Sequence, residues 1–293
     1  MERTIEINGN KYIKQDSDFK SQIDNTLDLL GLEMFEALNE ANAIIAGGAV
    51  LSNFTHQEVK DVDVYFRDKE SMVKAFIRLT RSWDSVYLGH TDKSITMKDR
   101  DSGIIVQFIY FDYFPNAEAV FKAFDFTVCM VAIELNTGKQ ELVMHPSFLG
   151  DAISRTLHFN AGTKFPYISL VRTRKYKEKG YKIGKGNLLS IAVACASRPI
   201  TSWDEAKEQL GGVYGYQVDL EINESTPFST EKLHEVITGI KEQKFSVNFS
   251  DYENLIMILT GKSSNDYFIE LNEIEQLAKK HKEKDESLDE FSF

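Results

Sequence analysis

Two aspartates separated by a single residue, Asp61 and Asp63, open an apolar segment that we expect to form a β-strand. Residues i and i+2 of a strand project from the same face, so the two carboxylates would lie side by side. Like charges at that distance repel each other, and a bound divalent cation is the usual reason for tolerating them. The pair therefore predicts a Mg²⁺ or Mn²⁺ site, the structural alternative being a solvated strand end.

A diglycine, Gly47-Gly48, precedes the aspartate pair and closes another short apolar strand. Glycine lets a backbone approach a phosphate closely, and the N-terminus of the helix expected next favours anions. A diglycine followed by an Asp-x-Asp strand is a layout for phosphoryl transfer, in which metal ions neutralise the attacking and leaving oxygens. Each motif alone is more often structural; their order and spacing favour phosphoryl transfer.

A third carboxylate, Asp125, lies between two phenylalanines at the start of a further apolar segment. From the residues alone it fits a turn carboxylate that accepts backbone N–H bonds.

Residues 155–185 form a strongly basic segment, with nine Lys and Arg residues against one Glu, in a chain whose net charge is −11. Tyrosines interleave with the bases and could stack on nucleobases. The segment predicts a local phosphate or RNA site, with a solvated helix face as the alternative. The RNA-binding candidates are Lys175, Tyr176, Lys179 and Lys182.

Composition excludes several other classes of protein. The 34 basic and 45 acidic residues argue against a general nucleic-acid coat or an anionic membrane surface. The sequence has no apolar stretch long enough to cross a bilayer. The two cysteines, Cys129 and Cys195, and the scattered histidines give no support for zinc or for a disulfide framework. We expect a cytoplasmic protein without membrane contact.

The elements that must position these residues divide the chain into three parts. Residues 1–155 alternate strand and helix patterns, with hairpins at Asn8-Gly9 and around 136–138, so we expect an α/β head with a small mixed sheet. Residues 156–284 follow helical spacing, which predicts a helical neck and body. Residues 285–293 hold four acids and two phenylalanines, and we expect a solvated tail or a docking peptide for a protein partner.

Within the head, apolar spacing predicts one long helix over 17–39, short helices after Gly48 and over 69–79, and strands over 43–46, 62–66, 94–98, 104–111, 126–135 and 141–144. Beyond it, helices are expected near 148–158, 166–181, 187–196, 203–210, 230–242, 250–261 and 266–282.

The motifs in this order resemble those of the DNA polymerase β-like nucleotidyltransferase superfamily, especially the head and neck of CCA-adding enzymes and bacterial poly(A) polymerases. The resemblance covers about residues 40–185. The family's GGxVRD and DxD motifs correspond to 47–50 and 61–63, and its RRDFTINA segment corresponds to 123–130. The family's D-P-x-x-G-x-x-D-L segment corresponds to His145-Pro146, Gly150 and Asp151, and its neck helix to 172–176 with Gly180-Tyr181.

The resemblance implies an α+β fold, with a small mixed-sheet nucleotidyltransferase head and flanking helices followed by an all-helical body. It implies an enzyme that uses Mg²⁺ or Mn²⁺ to move an NMP from an NTP to an acceptor hydroxyl, with an RNA 3′ end as the expected acceptor. Gly47, Gly48, Arg172 and Arg174 would bind the nucleotide. Asp125 would lie beside it as a positioning residue and is the third catalytic candidate, after Asp61 and Asp63.

Four departures from the family pattern keep other functions open. Leu51-Ser52 replace the Arg-Asp of the first motif, Ala123-Phe124 replace two arginines, and Gln107 stands where a third carboxylate is expected. The base-selecting E-D-x-x-R would fall on Phe165 to Ser169 and is absent. The alternatives are a catalytically impaired RNA- or nucleotide-binding protein on this scaffold, or a transferase whose acceptor is a protein or a small molecule.

Overall fold

A computed structural model describes residues 3–7, 10–15, 19–136, 139–210, 226–239 and 252–270. Within these ranges, nine strands form a single mixed sheet in the order β1-β2-β9-β8-β3-β4-β7-β6-β5. The strands are β1 (Arg3–Ile7), β2 (Asn10–Gln15), β3 (Ile44–Ala46), β4 (Asp61–Tyr65), β5 (Ser85–His90), β6 (Ser94–Asp99), β7 (Ile105–Ile109), β8 (Val131–Asn136) and β9 (Lys139–Met144).

Strands β4 and β7 pair in parallel, whereas the other neighbours in this sheet pair antiparallel. The central strands are apolar on both faces, and Ile44, Ile45, Val62, Val64 and Phe108 are completely buried. Burial of both faces is typical of strands covered by helices on each side. The centre of the sheet is therefore a rigid base for side chains at the strand ends.

The helices of the head are α1 (Lys20–Leu27), α2 (Leu32–Glu40), α3 (Gly48–Thr55), α4 (Lys69–Arg81), α5 (Ala117–Ala123) and α6 (Phe148–Ser154), with a 3₁₀ turn at Thr127–Cys129. Helix α4 shows why they form. Its N-cap Asp68 accepts a 2.8 Å hydrogen bond from the Ser71 N–H. Its buried face follows helical spacing, with Met72, Phe76 and Leu79 in the core.

The second part of the chain consists of α7 (Pro166–Glu178), α8 (Lys185–Ala196), α9 (Trp203–Leu210), α10 (Thr230–Gly239), α11 (Tyr252–Thr260) and a helix over 264–270. A short parallel pairing of β10 (Thr156–Leu157) with β11 (Lys182–Ile183) ties the two ends of the α7 region together. Helix α7 begins with Pro166, whose fixed φ suits the first turn.

Contacts of Lys93 and of Arg81 are among those that fasten the helical part to the head. The Lys93 ammonium donates a 2.8 Å hydrogen bond to the Glu208 carbonyl near the C-terminal end of α9. At the other side, Arg81 of α4 donates to the Asn265 side chain at 2.8 Å and stacks 4.0 Å from the centre of the Phe268 ring.

The α+β fold class expected from the sequence is confirmed. The expected helix over 17–39 is instead two helices, because the Gly31 N–H leaves the helical pattern and donates to the buried Asp99 carboxylate at 2.9 Å. A Cβ at Gly31 would lie 2.7 Å from that carboxylate, so the break requires glycine.

The strand expected over 126–135 begins only at Val131. Thr127 is drawn into the 3₁₀ turn by hydrogen bonds of its N–H to the His158 carbonyl and of its hydroxyl to Asp151. Strand β5 and helix α5 were not predicted. The division near residue 155 stays a prediction, and the acidic tail 285–293 with its expected protein partner lies outside the described residues. Across the described ranges, no helix is long and apolar enough to cross a membrane.

Candidate active site

Strand β4 presents Asp61 and Asp63 on one face at its N-terminal end. The two carboxylates are half-buried, while the intervening Val62 is completely buried on the opposite face, so the expected alternation holds. Asp63 is paired in register with Ala46 of β3 on one side and with Gln107 of β7 on the other. The sheet thereby brings the Gln107 amide next to the aspartate pair.

A cleft of about 320 Å³ opens over these side chains, between the head and α7. It joins the two segments that the sequence singled out separately. The head contributes Gly48, Ser52, Glu58, Val59, Lys60, Asp61, Asp63 and Gln107, and the helical part contributes Arg172, Lys175, Tyr176, Glu178 and Lys179.

The electrostatics of the cleft are dominated by Asp63. Burial first, and repulsion from Asp61 second, raise the pKa of Asp63 to about 7, against the opposing effect of Arg172 and Lys175. A carboxyl with this pKa is only partly ionised near neutral pH, and a positive charge close to it favours the ionised form.

The donor set fits one divalent cation. Two carboxylates and an amide oxygen are oxygen ligands of the kind that Mg²⁺ takes, with water or phosphate completing the shell. Gln107 is only 4% exposed, and its amide stands at the position expected for a third acid. No group of three or more His, Cys, Asp or Glu side chains suited to a metal occurs in the described part of the chain. Besides the aspartate pair, the cleft lining includes two further carboxylates, Glu58 and Glu178.

The two glycines of the diglycine have different tasks. Gly47 has φ +84°, a backbone conformation that disfavours any residue with a Cβ, and its N–H donates to the Val131 carbonyl at 3.1 Å. Gly48 begins α3 and lines the cleft, and a Cβ there would meet nothing within 4 Å. Gly47 makes the sharp turn, and Gly48 leaves open space in front of the helix N-terminus.

Asp125 does not lie on the cleft surface. It is 0% exposed and stands outside the set of described residues that line the cleft. Its carboxylate is 3.2 Å from Nε of Arg172, as an ion pair rather than an aligned hydrogen bond. Burial raises the pKa of Asp125, and the Arg172 guanidinium opposes that rise. Asp125 is therefore not brought to the cleft surface with Asp61 and Asp63, and its place beside a nucleotide stays a prediction.

The basic candidates separate into two groups. Lys175 and Lys179 line the cleft, and burial, followed by the charge of Lys175, lowers the pKa of Lys179. Lys182 is exposed on β11 away from the lining. The Arg174 side chain is 82% exposed and pairs with Glu178 at 3.3 Å, so it is not brought to the cleft with Arg172.

Tyr176 cannot offer its ring to a base. It is only 5% exposed, and its ring packs edge-to-face against Phe126 and Tyr181. Its hydroxyl lies 2.6 Å from the sulfur of Cys129 and accepts from Arg172 at 3.3 Å. Tyr176 therefore forms part of the packed wall of the cleft. Its alternation with lysines in the sequence did not indicate this burial.

Sequence reasoning missed other residues at the site, chiefly Lys60, Ser52 and Cys129. Lys60 directly precedes the aspartate pair, so its position was a usable signal. Ser52 lies one turn into α3, on the side that faces the cleft. Cys129 carries no such signal, because only tertiary packing places it against Arg172.

The chain is similar to a family model, to a phage protein and to several solved structures. A family model described as "Gad2: Gabija anti-defense 2 family protein" matches residues 14–155. A protein named "Gabija anti-defense 2" from Bacillus phage SPbetaL7 is 42% identical over 193 residues, which are 65% of this chain and 46% of that protein. The chain thus spans about half the length of this relative.

Several solved structures that resemble the chain are CCA-adding enzymes. The complex of a CCA-adding enzyme with ATP has 15% identity and a TM-score of 0.49, and the match covers 67% of this chain and 50% of that one. The complex with CTP has 12% identity and a TM-score of 0.46, covering 67% and 49%. The Thermotoga maritima CCA-adding enzyme complexed with tRNA has 13% identity and a TM-score of 0.43, covering 63% and 46%.

Proposed function

We propose that this chain is a metal-dependent nucleotidyltransferase that moves an NMP from an NTP to an acceptor hydroxyl. One observation carries the proposal. A single cleft holds a carboxylate pair on its head side and three basic side chains on its helical side, namely Arg172, Lys175 and Lys179. The carboxylates suit a divalent cation, and the bases suit the phosphates that the cation would accompany.

The residues of the chain act by binding and orienting. Asp61 and Asp63, with the Gln107 amide, would hold Mg²⁺ or Mn²⁺, which when bound neutralises charge on the reacting phosphate. Gly48 leaves room for the triphosphate at the N-terminus of α3, where backbone N–H groups favour anions. Arg172 and Lys175 attract the phosphates from the opposite wall. Catalysis in this arrangement comes from positioning and charge, without a covalent intermediate.

We propose an RNA 3′ end as the acceptor. Lys175, Lys177 and Lys182 are exposed bases in and just after α7, and exposed bases suit a phosphate backbone. The phage relative is named as an anti-defense protein. We propose that this chain likewise acts against Gabija defence, in the cytoplasm.

The test is incubation of the protein with each labelled NTP, Mg²⁺ or Mn²⁺, and total RNA. Wild-type protein should label RNA, and Asp61→Asn and Asp63→Asn should each lose that labelling. Asp101→Asn, at an exposed aspartate in the turn between β6 and β7, is the matched control and should label normally. Undiminished labelling by the β4 variants would refute the proposal, and label found on protein or a small molecule would change the acceptor.

A second candidate is a nucleotide- or RNA-binding protein without transferase activity. Gln107 favours it, because an amide beside Asp63 supplies no charge for a second cation. Isothermal titration separates the two functions. NTP binding that depends on Mg²⁺ and on Asp63, together with no NMP incorporation into any acceptor, would establish the binding protein.

A further inference from the structure

At the cleft wall, four side chains form a buried polar cluster, which we call the Arg172 anchor. Asp125 contributes a carboxylate 3.2 Å from Nε of Arg172. The other end of the guanidinium donates from Nη2 to the Tyr176 hydroxyl at 3.3 Å and to the Cys129 sulfur at 3.7 Å. Arg172 and Tyr176 also line the cleft, whereas Asp125 and Cys129 do not.

The Asp125 carboxylate is not accessible to a substrate in the cleft. It is completely buried, and the charge closest to it is the guanidinium of Arg172. A buried carboxylate is costly unless a cation compensates it, so the aspartate and the arginine stabilise each other's charged form. Among the contacts of Asp125, the one to Arg172 reaches a residue that lines the cleft.

Arg172 also faces the aspartate pair. It lines the cleft and lowers the pKa of Asp63 through its charge. An unrestrained guanidinium beside two carboxylates tends to form a bidentate ion pair with them. That ion pair would compete with a divalent cation for Asp61 and Asp63. A guanidinium held in a fixed position would leave both carboxylates available to the cation.

We propose that Asp125 is a positioning residue that holds Arg172 in the cleft wall as a fixed phosphate contact and leaves Asp61 and Asp63 to the cation. The inference rests on the proposed function, because it assumes that a triphosphate and a cation occupy this cleft. Under this proposal, Asp125 fixes the orientation of the Arg172 side chain.

The test is a double-mutant cycle on binding of an NTP analogue with a methylene bridge between the α and β phosphorus atoms, in Mg²⁺, by isothermal titration. Asp125→Asn and Arg172→Gln should each weaken binding by about tenfold or more. The double variant should bind no more weakly than Arg172→Gln, because Asp125 acts through the arginine. Losses that add would overturn the proposal.

The matched control is Glu134→Gln. Glu134 is a buried carboxylate paired with Arg67 at 3.7 Å, and it lies on β8 away from the cleft. It should lower the melting temperature without changing analogue affinity. An equal loss of affinity in this control would show that general destabilisation explains the effect, which would also overturn the proposal.

Titration with Mn²⁺ alone gives an independent readout. Asp125→Asn should weaken Mn²⁺ binding, because the released guanidinium competes for the aspartates, whereas Arg172→Gln should not weaken it. If Asp125→Asn does not fold, Tyr176→Phe removes another contact of the anchor and should weaken analogue binding several-fold. Unchanged binding in Tyr176→Phe would then overturn the proposal.

Failure of the two proposals can be told apart. If wild-type protein binds neither Mn²⁺ nor the analogue, the proposed function fails. If wild-type protein binds both and Asp125→Asn binds them equally well, only the positioning role of Asp125 fails.

Discussion

Replacing Asp63 by asparagine should stabilise the folded protein at pH 8 while removing its response to Mg²⁺. Burial and the neighbouring Asp61 raise the pKa of Asp63 from 3.8 to about 7. A difference of about three pH units corresponds to about 4 kcal/mol of unfavourable free energy when the carboxylate is ionised in the folded state. Asparagine keeps the shape and removes that charge, so about 4 kcal/mol is the upper limit of the gain.

The sign of the pH dependence follows from proton binding. The folded state holds the Asp63 proton more tightly than the unfolded state, so stability falls as pH rises between about 4 and 7. The advantage of Asp63→Asn should be small near pH 4 and should grow by about 2 to 3 kcal/mol between pH 5 and pH 8. Urea denaturation of both proteins with EDTA, at pH 5, 6, 7 and 8, measures it. An advantage that stays constant across this range would refute the reasoning.

Addition of Mg²⁺ at pH 8 completes the test. The cation compensates the carboxylates of the wild-type protein and should raise its melting temperature in a concentration-dependent manner. Asp63→Asn should respond much less, and Asp101→Asn should respond as the wild type does. A full response in Asp63→Asn would place the cation elsewhere.

Three further changes test the site. Gly47→Ala should lower the free energy of unfolding in urea by about 1–2 kcal/mol, because Gly47 has a positive φ. Gly48→Ala should lower it by less than about 1 kcal/mol, because a Cβ there has open space. Equal losses would contradict the assigned turn. Gln107→Glu should tighten Mn²⁺ binding by about tenfold in isothermal titration, since it adds a carboxylate to the site, and weaker binding would remove Gln107 from the ligand set. Lys175→Gln with Lys182→Gln should weaken binding to single-stranded RNA and reduce the slope of log affinity against log salt by about 1.4, and an unchanged slope would remove RNA from this surface.

The parts of the site that sequence could predict are local in the chain. The shared face of Asp61 and Asp63 follows from the two-residue period of a strand, and the turn at Gly47 follows from the chemistry of glycine. The expectation of a third ligand position on a core strand came from the family resemblance, and Gln107 of β7 is paired in register with Asp63.

The parts that failed depend on contacts between distant segments. Asp125 is buried against an arginine 47 residues further along, and Gly31 breaks a helix by bonding to a carboxylate 68 residues away. A helix that buries its aromatic side chains on one face and exposes its lysines on the other also shows Tyr176 alternating with lysines. Charge and periodicity therefore located the basic wall of the cleft without distinguishing exposed side chains from those inside it.

The contact between Arg81 and the helix over 264–270 bears on the order in which the molecule assembles. Arg81 bonds to Asn265 across 184 residues of sequence, so α4 acquires these neighbours only after most of the chain has been synthesised. The cleft draws its described lining from residues 48–179, and none of them belongs to this helix. Local opening of the helix over 264–270, detectable as early hydrogen exchange there, should therefore leave the aspartate pair and its basic wall in place.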